Sequence, residues 1–133
     1  MRKDPLPADD ESWRQDPQAP APGTALGPLD ALPDGEAKEF RFGEGRRVFS
    51  MLTIRQGDAV RAYVNACPHV WLPLTYRHGR VLSEDGRRLI CSSHFAEFSV
   101  EDGRPLSGPV TPGCRLAAVP VLVDPDGLVR IAS

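Results

Sequence analysis

The chain has 133 residues, of which 41% are hydrophobic, so we expect one folded domain with a modest core. Its formal net charge of −2 argues against a nucleic-acid-binding protein, since such proteins are usually clearly basic. The sequence contains no apolar run of about 18 residues and no apolar stretch behind Arg2 and Lys3, so we expect neither a membrane span nor a secretory signal. The expected location is therefore the cytoplasm.

Residues 1–28 differ in composition from the rest of the chain. They are rich in proline and aspartate and contain few branched apolar residues, so burial cannot offset the entropy lost on ordering them. We therefore predict a flexible arm over residues 1–28 and a folded domain over residues 29–133. Trp13 lies in this arm, and the sequence leaves open whether it contacts a partner or packs on its own chain.

From residue 48 onward the apolar residues recur with a period of two, which predicts β-strands. Two strands are predicted at residues 48–54 and 59–66. Three hairpins, each with an Asp-Gly turn, are then predicted at residues 80–90, 95–106 and 117–132. Since no stretch combines helical periodicity with helix caps, we predict an all-β antiparallel sandwich or barrel.

Two short segments combine cysteine with histidine, and each follows a predicted strand. Cys67-Pro68-His69 comes first, and Cys91-Ser92-Ser93-His94 comes second. Two such loops at one end of a sheet would bring together two thiolates and two imidazoles. This ligand set suits either a tetrahedral zinc ion or a [2Fe–2S] cluster in which histidines replace two cysteines on one iron.

The mixed content of each segment favours the cluster. Common zinc sites use arms that each supply like ligands, whereas each arm here can give a thiolate to one iron and an imidazole to the other. A zinc-stabilised Cys2His2 binding module without redox activity stays the alternative. A disulfide between Cys67 and Cys91 is disfavoured in a reducing cytoplasm. Cys114 stands alone in PGCRL, and we interpret it as a small buried apolar residue.

The two segments resemble the signature of the Rieske iron–sulfur proteins, which is Cys-x-His followed by Cys-x-x-His. The resemblance covers residues 29–133 and includes Pro73-Leu74, Phe98, Asp102-Gly103, SGP at 107–109 and the final hairpin. It implies a Rieske-type antiparallel β-fold with a cluster-binding loop subdomain. It also implies one [2Fe–2S] cluster per chain, with Cys67, His69, Cys91 and His94 as its ligands.

Within that family the chain is similar to the soluble ferredoxin type. Leu72 and Ser93 stand where respiratory members have a bracing pair of cysteines, and Ala96 stands where those members have a serine that hydrogen-bonds a cluster sulfur. Fewer donors to the sulfur atoms lower the reduction potential, so we expect a value in the lower part of the Rieske range of roughly −150 to +300 mV. Phe95 stands where the family usually has glycine.

The resemblance implies an electron carrier without a catalytic site of its own. The expected partners are a flavin reductase and a terminal oxygenase or a nitrite-reductase-like subunit, with no nucleic acid and no membrane, and the chain is expected to be a monomer or a weak oligomer. A redox-sensing regulator that signals through the N-terminal arm is a further possibility. Between the two segments lie four arginines, which form either a basic rim that steers an acidic partner or an ordinary solvated face: Arg77, Arg80, Arg87 and Arg88.

Overall fold

The computed structural model describes residues 12–45, 47–66, 81–91, 96–107 and 115–132. In these ranges nine β-strands form three antiparallel sheets of three strands each. The strands are β1 Ala25–Pro28, β2 Ala37–Glu44, β3 Arg47–Gln56, β4 Ala59–Val64, β5 Arg88–Ile90, β6 Glu97–Ser99, β7 Pro105–Ser107, β8 Val121–Val123 and β9 Leu128–Ile131. The same described ranges contain two short 3₁₀ helices, Ser12–Gln15 and Leu29–Ala31. The predicted all-β class is confirmed. No helix within the described ranges has the length and apolar content needed to cross a bilayer.

The strands predicted from the period-two pattern are present. The segments predicted at residues 48–54 and 59–66 form β3 and β4, which pair with each other in antiparallel register. In the hairpin predicted at residues 80–90, β5 forms the second arm. The first arm is reduced to a single bridge between Leu82 and Leu89.

The three Asp-Gly turns lie at the positions predicted from the sequence. The hairpin predicted at residues 95–106 contains β6 and β7, and the hairpin predicted at residues 117–132 contains β8 and β9. The glycines of the three turns have φ values of +72°, +79° and +88° at Gly86, Gly103 and Gly127. Glycine adopts this left-handed backbone conformation without the steric penalty that a side chain introduces.

Two observed strands, β1 and β2, have no counterpart among the predicted strands. β2 pairs with β3 along its whole length, from Ala37 opposite Ile54 to Glu44 opposite Arg47. The apolar pattern of β2 in the sequence is short, because only Phe40 and Phe42 alternate with charged neighbours. In the structure both rings are half-buried against the core. β1 is four residues long and pairs with β9, which is distant in sequence.

The sheet β2–β3–β4 contributes to cores on both of its faces, because the side chains of β3 alternate. Leu52 and Ile54 point to the first core, whereas Phe49 and Met51 point to the second. The first core also contains Tyr63, Val81, Leu82, Leu89, Cys91, Ala96, Phe98, Val100 and Leu116. The second core also contains Trp13, Ala62, Val119 and Ile131. The first core therefore joins β3 and β4 to the sheet β5–β6–β7, and the second joins them to β9.

Backbone hydrogen bonds also link β4 to the segment that leads into β8. The Val64 N–H donates to the Ala117 carbonyl and the Val119 N–H donates to the Ala62 carbonyl, both at 2.9 Å. In the described part of the chain the strands thus form open sheets that are joined at their margins, and not a closed barrel.

Residues 12–28 pack on the domain, which differs from the flexible arm predicted for residues 1–28. Trp13 is only 6% exposed, and its ring centroid lies 5.7 Å from that of Phe49. Leu26 packs against the second core, and its strand β1 extends the sheet of β8 and β9. Burial of these two apolar side chains stabilises the packing of the segment, although its overall composition is polar. Trp13 packs on its own chain, and for residues 1–11, outside the described residues, the flexible arm stays a prediction.

Candidate metal centre

The described residues include one of the four predicted ligands, Cys91. Cys67, His69 and His94 lie outside them, as do Leu72, Pro73-Leu74, Arg77, Arg80, Ser93, Phe95 and Cys114. The structure does describe the chain directly before Cys67 and on both sides of residues 92–95. These flanking residues determine where each Cys–His segment leaves the sheets.

The second segment is the connection of the β5–β6 hairpin. Ile90 pairs with Glu97, and one residue further the Cys91 N–H donates a hydrogen bond of 2.8 Å to the Ala96 carbonyl. This bond continues the antiparallel ladder beyond the last paired residues of the two strands. Cys91 and Ala96 therefore form the base of the loop, and residues 92–95, which include the predicted ligand His94, lie between them.

Cys91 is a free thiol and is completely buried, with 0% exposure, in the first core. A soft sulfur donor suits iron–sulfur chemistry, and apolar surroundings keep an unligated thiol inert. Ala96 is also completely buried and offers no side-chain donor. A free thiol at the base of a loop that contains a histidine fits a site for a [2Fe–2S] cluster.

The chain enters the first segment from a fixed point at the end of β4. Asn65 is 4% exposed, and its N–H donates to the Ser50 carbonyl at 2.9 Å. Its side-chain Nδ2 donates to Ser50 Oγ at 3.1 Å, and Ser50 Oγ in turn donates to Glu39 Oε2 at 2.5 Å. These bonds to β2 and β3 hold the chain two residues before Cys67. The only sequence signal for this role is a polar residue directly after an apolar strand.

The turn between β6 and β7 is bound to β4 and to the chain that follows residues 108–114. The Tyr63 hydroxyl donates to the Val100 carbonyl at 2.6 Å, and the Leu116 N–H donates to the Gly103 carbonyl at 3.0 Å. A Cβ on Gly103 would lie 3.0 Å from Tyr63 Cε1 and 3.1 Å from the Leu116 carbonyl oxygen. Sequence patterns indicate a turn at Gly103 but not these contacts, because they join residues that are distant along the chain.

Ion pairs reinforce the same turn. Asp102 Oδ2 lies 3.0 Å from Arg104 Nη1 and 3.3 Å from Arg115 Nη2. Burial opposes ionisation of Asp102, but hydrogen bonds from the backbone and side chain of Arg104 outweigh it and hold the pKa of the carboxyl below its ordinary value. Asp102 therefore stays charged and links the turn to Arg115.

Tyr63→Phe is expected to change the dependence of stability on pH. Burial raises the pKa of Tyr63 from 10.0 to about 12, because the core disfavours the phenolate. The folded state therefore keeps the proton that the unfolded state loses first, and this contribution to stability is full below pH 10 and is lost as the pH rises towards 12. Two pKa units correspond to about 2–3 kcal/mol.

At pH 8 the variant should unfold more easily than the wild type by about 1–3 kcal/mol, since the Val100 carbonyl loses its buried partner. Between pH 9 and pH 11.5 this difference should shrink, because only the wild type loses the contribution of the neutral phenol. Denaturant unfolding of both proteins across this range measures the change. A difference that stays constant would show that Tyr63 titrates as an exposed tyrosine does.

The Rieske [2Fe–2S] domain family matches residues 24–121 of the chain. The ferredoxin of carbazole 1,9a-dioxygenase from Nocardioides aromaticivorans IC177 has a similar structure, with 22% identity, a TM-score of 0.64 and coverage of 85% of this chain and 100% of that one. A ferredoxin solved in complex with the reduced oxygenase of carbazole 1,9a-dioxygenase has 23% identity, a TM-score of 0.64 and coverage of 81% and 99%. A proposed NADH-dependent nitrite reductase small subunit from Mycobacterium tuberculosis has 22% identity, a TM-score of 0.61 and coverage of 83% and 93%. No curated protein matches the chain.

Proposed function

Because this chain belongs to the Rieske [2Fe–2S] domain family, we propose that it shuttles single electrons between two partner proteins, with Cys67, His69, Cys91 and His94 as the ligands of its cluster. When bound, a [2Fe–2S] cluster accepts and releases one electron at a time. The observation that carries the ligand assignment is the buried, free thiol of Cys91 at the base of the β5–β6 loop.

The four side chains divide the work by ligand type. The thiolates of Cys67 and Cys91 would hold one iron and the imidazoles of His69 and His94 the other. Apolar neighbours of Cys91 in the first core exclude water from the sulfur. Ala96 adds no hydrogen bond from its side chain, which favours a potential in the lower part of the Rieske range.

The proposed partners are a flavin reductase as electron donor and a terminal oxygenase as acceptor. The oxygenase is supported by the fold that this chain shares with a ferredoxin solved together with an oxygenase. A nitrite-reductase-like large subunit is the second candidate, because the proposed small subunit of such an enzyme also shares the fold. We propose that the chain has no catalytic site of its own, since His78 is its one histidine outside the proposed ligand set.

The zinc-stabilised binding module is not supported. The family that matches the chain binds a [2Fe–2S] cluster, and each Cys–His segment supplies unlike ligands rather than a pair of like ones. A zinc site would also leave the protein colourless, because zinc has a filled d shell.

Metal and sulfide analysis of anaerobically purified protein tests the proposal. We expect about two iron atoms and two acid-labile sulfides per chain, with absorption between about 400 and 600 nm. After reduction by dithionite, about one electron per chain should be taken up, and the electron paramagnetic resonance signal should have a low average g value, as expected for mixed histidine and cysteine ligands. Colourless protein with one zinc ion per chain would overturn the proposal.

A further inference from the structure

A basic groove of about 540 Å³ lies where the sheets β2–β3–β4 and β5–β6–β7 meet at the surface. Four arginines line it, from three separate parts of the chain: Arg61, Arg87, Arg88 and Arg104. The carboxylates in its lining are Asp85 and Glu101, so the formal balance of the lining is +2 in a chain with a net charge of −2. The groove thus concentrates positive charge on a protein that is acidic as a whole.

Two of the four arginines form ion pairs with described residues, and the other two do not. Arg88 Nη1 lies 2.8 Å from Glu97 Oε1, and Arg104 Nη1 lies 3.0 Å from Asp102 Oδ2. Arg61 and Arg87 are exposed, and within the described ranges neither has a carboxylate oxygen within 4.0 Å of its guanidinium nitrogens. Their guanidinium groups are therefore available to carboxylates from another molecule.

The groove is held in shape by one hydrogen bond between its walls and one within the turn that follows β6. Gln56 Nε2, at the end of β3, donates to the Gly86 carbonyl at 3.1 Å and so joins β3 to the turn that precedes β5. Ser99 is buried, and its Oγ accepts a bond of 3.1 Å from the Glu101 N–H. Leu106, 43% exposed, adds an apolar surface to the lining. A preformed groove of this kind loses little entropy when a ligand binds.

We propose that this groove binds an acidic segment of a redox partner protein, with Arg61 and Arg87 contacting its carboxylates and Leu106 contacting an apolar side chain. The part of the inference that makes the partner a redox protein rests on the proposed function. Arginine beside an exposed apolar residue is typical of protein interfaces. A nucleic acid is disfavoured, because nucleic-acid-binding domains are usually basic as a whole, whereas the excess of positive charge here is confined to this groove in a chain with a net charge of −2.

The position of the groove suits this role. Arg88 and Cys91 are three residues apart on an extended strand, which corresponds to about 10 Å between their backbones. Side chains three residues apart on a strand point to opposite faces, so a partner segment in the groove would lie about 10 Å along the chain from Cys91 and on the other face of the strand, where it would not cover the proposed ligand. Opposite charges that steer the encounter raise the association rate most at low ionic strength.

Binding of a fluorescently labelled octaglutamate peptide to the holoprotein, followed by anisotropy at about 50 mM salt, tests the groove. The double variant Arg61→Glu/Arg87→Glu is expected to weaken binding at least about tenfold. The matched control is Lys38→Glu/Arg41→Glu, which makes the same change in net charge at exposed positions of β2. The control should stay within about twofold of the wild type, and about 300 mM salt should weaken all binding.

Three results would overturn the inference: no binding of octaglutamate by the wild type, equal weakening in both double variants, or tighter binding of inorganic phosphate or octauridylate RNA than of the peptide. The visible absorption of the same samples reports whether the cluster is present. If iron-loaded protein does not bind the peptide, the binding role proposed for the groove is wrong, but the proposed electron-transfer function is not affected. If the protein contains no iron but still binds the peptide, the proposed electron-transfer function is wrong, but the binding role of the groove is not affected.

Discussion

Replacement of Cys91 by serine is expected to reduce the iron content of the purified protein to less than about a tenth of the wild-type value. The serine hydroxyl stays protonated near neutral pH and is a harder donor than a thiolate, so it binds an iron–sulfur core poorly. Cys91 is completely buried, which prevents a water molecule from taking the place of the lost ligand. Iron and acid-labile sulfide per chain, with the visible absorption spectrum, measure the effect.

Cys114→Ser is the matched control, because the sequence places Cys114 outside both Cys–His segments. It should retain the wild-type content of iron and sulfide. Should Cys91→Ser fail to fold, His94→Ala tests the same centre, since His94 lies in the connection between Cys91 and Ala96. Full iron content in either Cys91→Ser or His94→Ala would contradict the ligand assignment.

Gly103→Ala is expected to lower the free energy of unfolding by about 2–5 kcal/mol. The left-handed backbone at φ +79° costs alanine about 1–2 kcal/mol. The added methyl group would also press on Tyr63 and on the backbone of Leu116, at 3.0 and 3.1 Å, and overpacking of this kind costs about 1–3 kcal/mol. Tyr63 belongs to the same core as Cys91, so the strain falls within the core that contains this proposed ligand.

Gly127→Ala separates the two causes. Gly127 has a similar φ of +88°, but nothing lies within 4 Å of the position its Cβ would take. Its cost should therefore be the backbone penalty alone, about 1–2 kcal/mol. Denaturant unfolding of both variants under the same conditions measures the difference. Equal losses in the two variants would show that the contacts with Tyr63 and Leu116 do not limit the space at Gly103.

The surroundings of the arginines between the two Cys–His segments could not be predicted from the sequence. The sequence left open whether Arg87 and Arg88 form a basic rim or a solvated face, because charge alone does not show which other residues lie beside them. The structure places both with Arg61 and Arg104 in one groove, although these two come from other strands and turns. Arg77 and Arg80 lie outside the described residues, so their part in a basic rim stays a prediction.

The features that the sequence determined by itself are local ones. The β3–β4 pair and the Asp-Gly turns depend on neighbouring residues, because strand periodicity and turn conformation are properties of short segments. The same holds for the two Cys–His pairs, because the cysteine and histidine of each pair are separated by only one or two residues in the sequence. These features were sufficient to indicate an all-β protein of the Rieske type.

Only the tertiary structure decided what depends on distant parts of the chain. The docking of Trp13 on Phe49 and the pairing of β1 with β9 join segments that no local pattern connects. The same is true of the bond from Tyr63 to Val100. Such contacts depend on which apolar faces meet when the sheets pack, and that outcome is set by the burial of the whole chain rather than by the propensity of any one segment.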